Sequence, residues 1–518
     1  MSGGGVRARA WRLDLVLFAI VFGAGAYFYN GYGWNQTARY DSIWAFVEPG
    51  PSRGTVRIDD FLTDPERGEN TGDWARNPEH DEHWYSNKAP GTTLLGIPFY
   101  FALFHGERAL GADPLSIRGV LINAWLIHLW VTVLPVAISA LFFRRLMLRL
   151  SDRPGRAFGL TLLLYLGTLM LPFGTMMWGH TTAAAFVVMA VTCFVLGGPR
   201  GAIASGVLAG AAVLTDYGAA PVAVSLVVLA AVWPERRRDA LRIMAGGLGP
   251  LLVFVAYHGA VFGSPFRLAS AYSQPSMIDE GGMQGLFGGV RSGALWGLTF
   301  ARTRGLFFFM PVLLLVPVAL RGIRGHRHER FAWFAVANAL VVLVINLTFN
   351  GWHGGVSAGA RYQIVALPFW VSLLALLPEG RRLSGALVVL GAISATNMFV
   401  IAAVSPLAPD ALRGSPLFFA WGKLAGVVRV DLGLAPPVEP GGPLSRGSLH
   451  IYPVLLMRAW EIGLGDPLIA RYACFNAGEL LLGLRGTASL LPVLAWVGGL
   501  SWVGRRLARA EELAGAST

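Results

Sequence analysis

The chain has 518 residues, of which 54% are hydrophobic and only 14% are charged. This composition excludes an ordinary soluble globular protein and an intrinsically disordered chain, and two cysteines exclude a disulfide-stapled scaffold. The formal net charge of +12 would suit nucleic-acid binding in a soluble protein, so the placement of the arginines has to decide what it means.

Runs of mostly apolar residues recur along the chain, and about 20 such residues are needed to cross a bilayer as a helix. We therefore predict an all-α polytopic membrane protein with about twelve transmembrane helices. The predicted spans are 13–30, 119–143, 157–173, 180–197, 202–215, 217–233, 241–262, 304–320, 331–349, 361–377, 383–404 and 486–503.

One further apolar run, 92–104, is too short to count as a span, because at about 1.5 Å per residue it reaches only about 20 Å. We interpret it as re-entrant or interfacial. With that choice the arginine-rich turns all fall on one side, which the positive-inside rule makes cytoplasmic. These turns are 7–12, 144–156, 236–238, 321–330, 381–382 and 505–509. The basic excess then reports orientation in the membrane, with both termini cytoplasmic and no nucleic-acid partner.

The predicted organisation has five parts, and the long segments between spans face outward. A cytoplasmic N-terminus with the first helix (1–30) precedes an acidic outer loop with short juxtamembrane helices (31–118). The transmembrane core (119–404), an outer loop region (405–485) and a last helix with a cytoplasmic tail (486–518) follow. Within the core, the short span 202–215 is rich in glycine and alanine, which permits close helix packing.

The first outer loop is the strongest candidate for chemistry. Residues 31–91 hold eleven of the thirty acidic residues of the chain, among them Asp41, Asp59 and Asp73. A carboxylate can accept the proton of an attacking hydroxyl or bind a divalent cation, so the metal requirement is left open. The alternative is a solvated acidic loop.

Three basic residues on the outer side are candidates for binding an anion. Lys88 is one of only two lysines in the chain and precedes the run 92–104, and a compact ammonium suits a phosphate. Arg304 and Arg361 stand at predicted helix N-termini, where a cation is unfavourable unless an anion accompanies it. The alternatives are snorkelling and binding of lipid headgroups.

Two further polar residues lie at the outer ends of predicted spans. Asp216 interrupts an apolar stretch, and an acid at that depth usually has a function, although a helix cap is the simpler alternative. His180 follows Trp178-Gly179, and a single histidine at a helix start is more often a cap or packing residue than a base.

Short motifs follow one another in order over most of residues 30–370. They are Ala38-Arg39-Tyr40-Asp41-Ser42-Ile43 in a short loop helix, Ile58-Asp59, Gly72-Asp73, Tyr85-Ser86-Asn87-Lys88-Ala89-Pro90, Trp178-Gly179-His180, Phe262-Gly263-Ser264-Pro265-Phe266, Arg304-Gly305-Leu306-Phe307 and Gly359-Ala360-Arg361-Tyr362. The order of these motifs resembles the glycosyltransferase C superfamily, specifically bacterial relatives of protein O-mannosyltransferases and lipid A aminoarabinose transferases.

The resemblance implies transfer of a sugar from a polyprenyl-phosphate donor to a glycan, lipid or protein acceptor. Lys88 matches the family lysine proposed to hold the lipid phosphate, and Arg304 and Arg361 are expected to assist it. The substrate-binding residues are then Tyr85, His180, Asp216, Trp352 and Tyr362. Membrane lipids are the other expected partners.

The sequence departs from the family where the catalytic acid is expected. Relatives carry an Asp-Glu or Asn-Glu pair before the Arg-Tyr of the loop helix, whereas this chain has Asn35-Gln36, and an amide cannot act as a base. The role then passes to Asp59 or Asp41, with Asp73 next. The alternative functions are a transporter or flippase of a lipid-linked saccharide, or a non-catalytic binder of one.

Overall fold

The structure, a computed structural model, describes residues 3–31, 33–62, 71–279, 281–355, 357–408, 412, 414–426 and 474–516. Most of the predicted outer loop region 405–485 lies outside the described residues. The described part is mainly helical. Its α-helices are α1 (Gly3–Tyr27), α2 (Trp34–Val47), α3 (Gly91–Ala109), α4 (Ile117–His128), α5 (Leu134–Ser151), α6 (Pro154–Leu166), α7 (Met170–Phe173), α8 (Gly179–Leu196), α9 (Gly198–Thr215), α10 (Ala220–Val232), α11 (Arg237–Phe262), α12 (Ala294–Thr299), α13 (Leu306–Phe309), α14 (Val316–Leu320), α15 (Glu329–Thr348), α16 (Leu367–Leu373), α17 (Arg381–Val404), α18 (Pro416–Leu424), α19 (Ala477–Leu482) and α20 (Leu491–Ala516).

Six helical segments among the described residues are long and apolar enough to cross a membrane, and each coincides with a predicted span. They are Arg118–Ser151, Gly179–Leu196, Pro234–Phe262, Glu329–Thr348, Arg381–Val404 and Gly486–Ala514. Large apolar side chains on α11, α15 and α20 are exposed, including Leu252, Val344 and Trp502. Exposed apolar surface of this extent is typical of a protein that faces lipid, so the chain is a membrane protein.

Of the other predicted spans, 13–30 and 202–215 coincide with the continuous helices α1 and α9, and the remaining four coincide with shorter or broken helices. Tyr217–Val232, Pro311–Leu320 and Arg361–Leu376 are apolar but short. The predicted span 157–173 is interrupted between α6 and α7, and 304–320 is divided into α13, a 3-10 helix at Pro311–Leu315 and α14. The count of twelve therefore stays a prediction.

The described residues also contain two small antiparallel sheets, which the sequence did not predict for this mainly helical protein. The first joins β1 (Phe28–Asn30) to β4 (Cys474–Asn476), so the predicted span 13–30 is helical only as far as Tyr27. The second is a hairpin of β2 (Trp74–Asn77) and β3 (Asp81–Ser86). The hairpin and β4 lie in segments predicted as loops, whereas β1 falls at the end of a predicted span and pairs with a strand distant in sequence.

The segment after β1 forms the predicted juxtamembrane elements, but they are longer than expected. The predicted loop helix at 38–43 is the centre of the 14-residue α2, which is almost entirely buried. The apolar run predicted at 92–104 is part of the 19-residue α3, which continues to Ala109. Helix α2 packs along α3, and this pair supports the β2–β3 hairpin.

A break in the α4–α5 segment shows how the interior compensates for a proline. Leu129–Val133 forms a π-helical turn between α4 and α5. Pro135 has no N–H to donate to the carbonyl of Val131 four residues earlier. That carbonyl instead accepts a hydrogen bond from the Thr182 hydroxyl of α8 at 3.1 Å. The bond ties α5 to α8, the most buried of the six candidate spans.

Ion pairs connect the arginine-rich turns with one another, which shows that these turns lie at one end of the molecule. Arg153 pairs with Glu379 at 2.5 Å, Arg330 pairs with Glu235 at 3.4 Å, and Arg327 pairs with Asp152. The buried Arg144 joins α1 and α20 by contacting Asp14 at 2.8 Å and Glu511 at 3.6 Å. This end, defined by those turns, is called the arginine end below.

Helices α9 and α11 approach more closely than helices with larger side chains could. A Cβ on Gly206 would overlap the backbone of Ile243, and one on Gly246 would overlap the backbone of Ile203. The sequence prediction of close packing in 202–215 is therefore confirmed, and both partners contribute glycines to the contact.

We expect Gly206→Ala to lower the unfolding free energy by about 1–3 kcal/mol, the usual cost of adding a methyl group to a tight contact. The measurement is thermal unfolding of the purified chain in detergent. The matched control is Gly249→Ala, since a Cβ on that α11 glycine would meet nothing within 4 Å. Equal unfolding temperatures for both variants would contradict the close contact.

Candidate functional site

A group of charged side chains lies at the end of the molecule opposite the arginine end, where several elements meet. Arg39 comes from α2, Lys88 from the turn between β3 and α3, and His180 from the first turn of α8. Asp216 follows α9, and Arg361 begins a 3-10 helix. The group is therefore assembled from segments distant in sequence, and it is called the cationic cluster below.

Lys88 forms an ion pair within this cluster. Its ammonium contacts Oδ1 of Asp73 at 2.8 Å, and the two side chains are 21% and 11% exposed. Burial lowers the pKa of the Lys88 ammonium, the Asp73 carboxylate opposes that change, and the positive charges of Arg361 and Arg39 lower the pKa further. Three cations therefore act on one another at close range.

Arg39 is buried and fixed from several directions. Its Nε donates to Oδ1 of Asn35 at 3.1 Å, and its Nη1 donates to the carbonyl of Ala89 at 2.9 Å and to the hydroxyl of Thr92. The last two acceptors flank the start of α3. Arg39 thus connects α2 to the turn that presents Lys88, and a guanidinium with its fixed donors is suited to that task.

Arg361 lies against aromatic rings. Its guanidinium carbon is 4.5 Å from the centre of the Trp178 ring, and its Nη2 donates to the Tyr362 hydroxyl at 2.9 Å. Its Nε is buried and makes no hydrogen bond to any described residue. A buried donor of this kind costs free energy unless a ligand or water accepts from it, so Arg361 is a candidate for binding an anion.

His180 and Asp216 form a hydrogen-bonded pair beside these cations. The Nδ1 of His180 lies against Oδ2 of Asp216, whose Oδ1 accepts from the backbone N–H of Gly218 at 2.9 Å. The His180 ring meets the Tyr362 ring edge to face at 5.3 Å. Asp216 thus caps the short 3-10 helix that follows it, as the simpler interpretation of the sequence predicted, and it also pairs with His180.

Arg304 and Trp352 build the neighbouring loop rather than the centre of the cluster. The Arg304 guanidinium donates to the carbonyls of His353 and Gly355, and its positive charge faces that of Arg361. The Trp352 ring packs against Gly297, where a Cβ would overlap it. Arg304 therefore has a structural role in this loop, and its expected role in binding phosphate stays a prediction.

Asp59 and Tyr85 belong to a second group on the hairpin. Oδ1 of Asp59 contacts Nδ1 of His83 at 3.0 Å. The Tyr85 hydroxyl donates to Asp81 at 2.9 Å, and Arg57 contacts the same carboxylate at 3.4 Å. Burial and the Asp81 contact, opposed by Arg57, raise the pKa of Tyr85 to about 12. These contacts brace the hairpin.

Asp41 is fully buried in α2, two residues from Arg39. Two residues correspond to about 200° around a helix, so Asp41 lies on another face of α2 than the one that Arg39 presents to the cluster. Of the three acids predicted for catalysis, the structure brings Asp73 into the cationic cluster.

The amides that replace the family acids have structural partners. Gln36 donates to the carbonyl of Asn30 at 2.7 Å and accepts from the backbone N–H of Met177 at 2.9 Å. Asn35 accepts from Arg39. Gln36 therefore holds α2 against its neighbouring segments, and Asn35 helps to orient Arg39.

No group of three or more His, Cys, Asp or Glu side chains in the described ranges could hold a metal ion. The described side chains thus give no support for the divalent cation that the sequence left open.

Sequence reasoning missed Arg39 as a member of the cluster. The residue stands in the Arg-Tyr motif, but an arginine in the middle of a loop helix gives no sign that it is buried. Its importance depends on the packing of α2 against the start of α3.

Comparison of the chain with protein-family models and with curated proteins finds no match.

We expect Gly91→Ala to disturb the cationic cluster, because a Cβ at the start of α3 would lie 2.6 Å from Oγ1 of Thr215 and 2.7 Å from the Leu214 backbone. The unfolding free energy of the chain in detergent should fall by about 1–3 kcal/mol, the usual cost of adding a methyl group to a tight contact. Gly106→Ala in the same helix is the matched control, since its Cβ would meet nothing within 4 Å. Equal unfolding temperatures for the two variants would contradict the close contact at Gly91.

Proposed function

We propose that the chain is a membrane glycosyltransferase of the glycosyltransferase C type, which moves a sugar from a polyprenyl-phosphate donor to an acceptor. The acceptor class, whether glycan, lipid or protein, is left open. The observation that carries the proposal is the cationic cluster at the end of a lipid-exposed helical body. A phosphate on a membrane-embedded lipid could reach such a cluster without leaving the bilayer surface.

The charge of the cluster suits such a donor. Arg39, Lys88 and Arg361 supply three positive charges, and the carboxylates of Asp73 and Asp216 offset two of them. The remaining positive charge, together with that of the neighbouring Arg304, suits the negative charge of a phosphodiester between a lipid and a sugar. When the sugar leaves, the phosphate gains a second negative charge, and the cations stabilise that change in a site of low dielectric.

The proposed placement in the membrane rests on the two ends of the molecule. The positive-inside rule assigns the arginine end to the cytoplasm, and the cationic cluster lies at the opposite end. We therefore propose a bacterial cytoplasmic membrane, about twelve spans, cytoplasmic termini and transfer on the outer face.

The proposal is tested with full-length protein in liposomes and a panel of synthetic undecaprenyl-phosphate hexoses and pentoses. We expect release of sugar, to water or an added acceptor, from at least one donor. In Lys88→Ala, donor affinity should fall on the order of tenfold to a hundredfold, because a hydrogen bond to a charged group contributes about 1.5–3 kcal/mol. Lys423→Ala, which changes the other lysine of the chain, is the matched control.

Failure to release sugar from every donor would contradict the proposal. Movement of the intact donor between leaflets would then favour a flippase, and binding without either reaction would favour a non-catalytic binder.

The lowered pKa of Lys88 predicts a pH dependence of donor binding. Since burial and the neighbouring arginines favour loss of the proton, Lys88 should become neutral below the usual lysine pKa of about 10.4. Donor affinity should therefore weaken as the pH rises towards that value. Lys88→Arg keeps its charge and should move the decline to higher pH. Identical pH profiles for the two proteins would contradict the role of the Lys88 charge.

A further inference from the structure

The hydrogen bonds around His180 leave one of its ring nitrogens unused. Nδ1 is paired with Asp216, while Nε2 is buried and makes no hydrogen bond to any described residue. The His180 side chain is 9% exposed. A buried polar atom without a partner is costly unless a ligand or water completes it, so Nε2 marks a place for a hydrogen-bonding group.

The pairing with Asp216 fixes what Nε2 can do. An ionised carboxylate only accepts hydrogen bonds, so it selects the tautomer of a neutral His180 that carries its proton on Nδ1. Nε2 then presents a lone pair and can accept a proton. Because Gly218 holds the other oxygen of Asp216 at 2.9 Å, the carboxylate is itself fixed in orientation.

The surroundings of His180 place this lone pair among the groups proposed to bind the donor. The charged groups that act on the ring are Asp216, Arg361 and Arg39, and the phenol of Tyr362 packs against it. His180 is thus a neighbour of Arg361, whose Nε is likewise buried without a partner among the described residues. Two orphaned polar atoms of complementary type, a donor and an acceptor, lie in one region.

The other candidates for the base are less well placed. Oδ1 of Asp73 contacts the Lys88 ammonium at 2.8 Å, so accepting a proton would break that ion pair. Asp59 is held by His83 on the hairpin, and Asp41 lies on another face of α2. The amide of Gln36 cannot accept a proton at neutral pH.

From this geometry we propose that His180 is the general base that activates the acceptor, with Asp216 as its positioning residue. This inference rests on the proposed function and deepens it. It moves the base from the first outer loop, where the sequence suggested an acidic residue, to the start of α8.

Transfer of the sugar breaks two bonds and forms two. The acceptor O–H bond breaks and its proton passes to Nε2 of His180, while an oxygen lone pair forms the new bond to the anomeric carbon. The bond from that carbon to the phosphate oxygen breaks, and its electron pair leaves with the lipid phosphate. The cluster gains one positive charge as the phosphate gains one negative charge, and the imidazolium afterwards returns its proton to water.

The test uses full-length protein in liposomes with the undecaprenyl-phosphate sugar that the wild-type chain cleaves. Sugar release needs no identified acceptor, because water must lose a proton in the same way. We expect His180→Gln to lower kcat about 10²- to 10⁴-fold, the usual contribution of general base catalysis, with donor affinity within about threefold of wild type. His105→Gln in α3 is the matched control.

Two readouts separate proton transfer from a merely structural role. Wild-type kcat should fall on the acid side as His180 becomes protonated, and the residual activity of His180→Gln should lack that decline. Imidazole added to His180→Ala should restore part of kcat. If the His180 variants do not fold, Asp216→Asn carries the test, and it should lower kcat and displace the acid-side decline to lower pH.

An unchanged kcat and acid-side decline in His180→Gln, or in Asp216→Asn where that variant is used, would overturn the assignment of His180 while the proposed function stands. A loss confined to donor affinity, or absence of imidazole rescue in a folded His180→Ala, would overturn it as well. A wild-type chain that binds every donor and cleaves none would overturn both the proposed function and this inference.

Discussion

The arrangement at the cationic cluster depends on one buried guanidinium. Arg39 is held by Asn35 on its own helix and by the Ala89 carbonyl and the Thr92 hydroxyl at the start of α3. A charge buried in this way needs all of these partners, since the cost of removing it from water is several kcal/mol. The packing of α2 against α3 is therefore coupled to the position of Lys88, three residues before α3.

The cluster also requires that the starts of α3 and α8 lie very close to the end of α9. Gly91 and Gly179 each lie against the end of α9, where a side chain would overlap Thr215. A Cβ on Gly179 would also lie 3.1 Å from Nη2 of Arg39. The starts of α3 and α8 can therefore meet the turn that holds Asp216. The glycine contacts of α9 with α11 extend the same close packing towards the arginine end.

Carboxylates offset part of the positive charge of the cluster, so its basic side chains can lie close together. Each carboxylate has a defined partner, Lys88 for Asp73 and His180 for Asp216. Among the described residues, Arg361 contacts aromatic faces and a phenol, and no carboxylate pairs with it. An arginine without an acidic partner in a site of low dielectric is suited to an anion that arrives from outside the chain.

The sequence alone predicts the membrane class and the positions of the long apolar helices, because these follow from composition and from the length needed to cross a bilayer. It also singled out Lys88, Arg361, His180 and Asp216, since polar residues among apolar ones are conspicuous. It could not show which of Asp73, Asp59 and Asp41 lies in the cationic cluster, because all three are acidic residues of one predicted loop. The structure was needed to pair Asp73 with Lys88, to bury Arg39, to interrupt the predicted spans after Leu166 and Phe309, and to leave Nε2 of His180 without a partner among the described residues. The physical reason is that pairing and burial depend on which distant segments meet, and neither local pattern nor hydropathy carries that information.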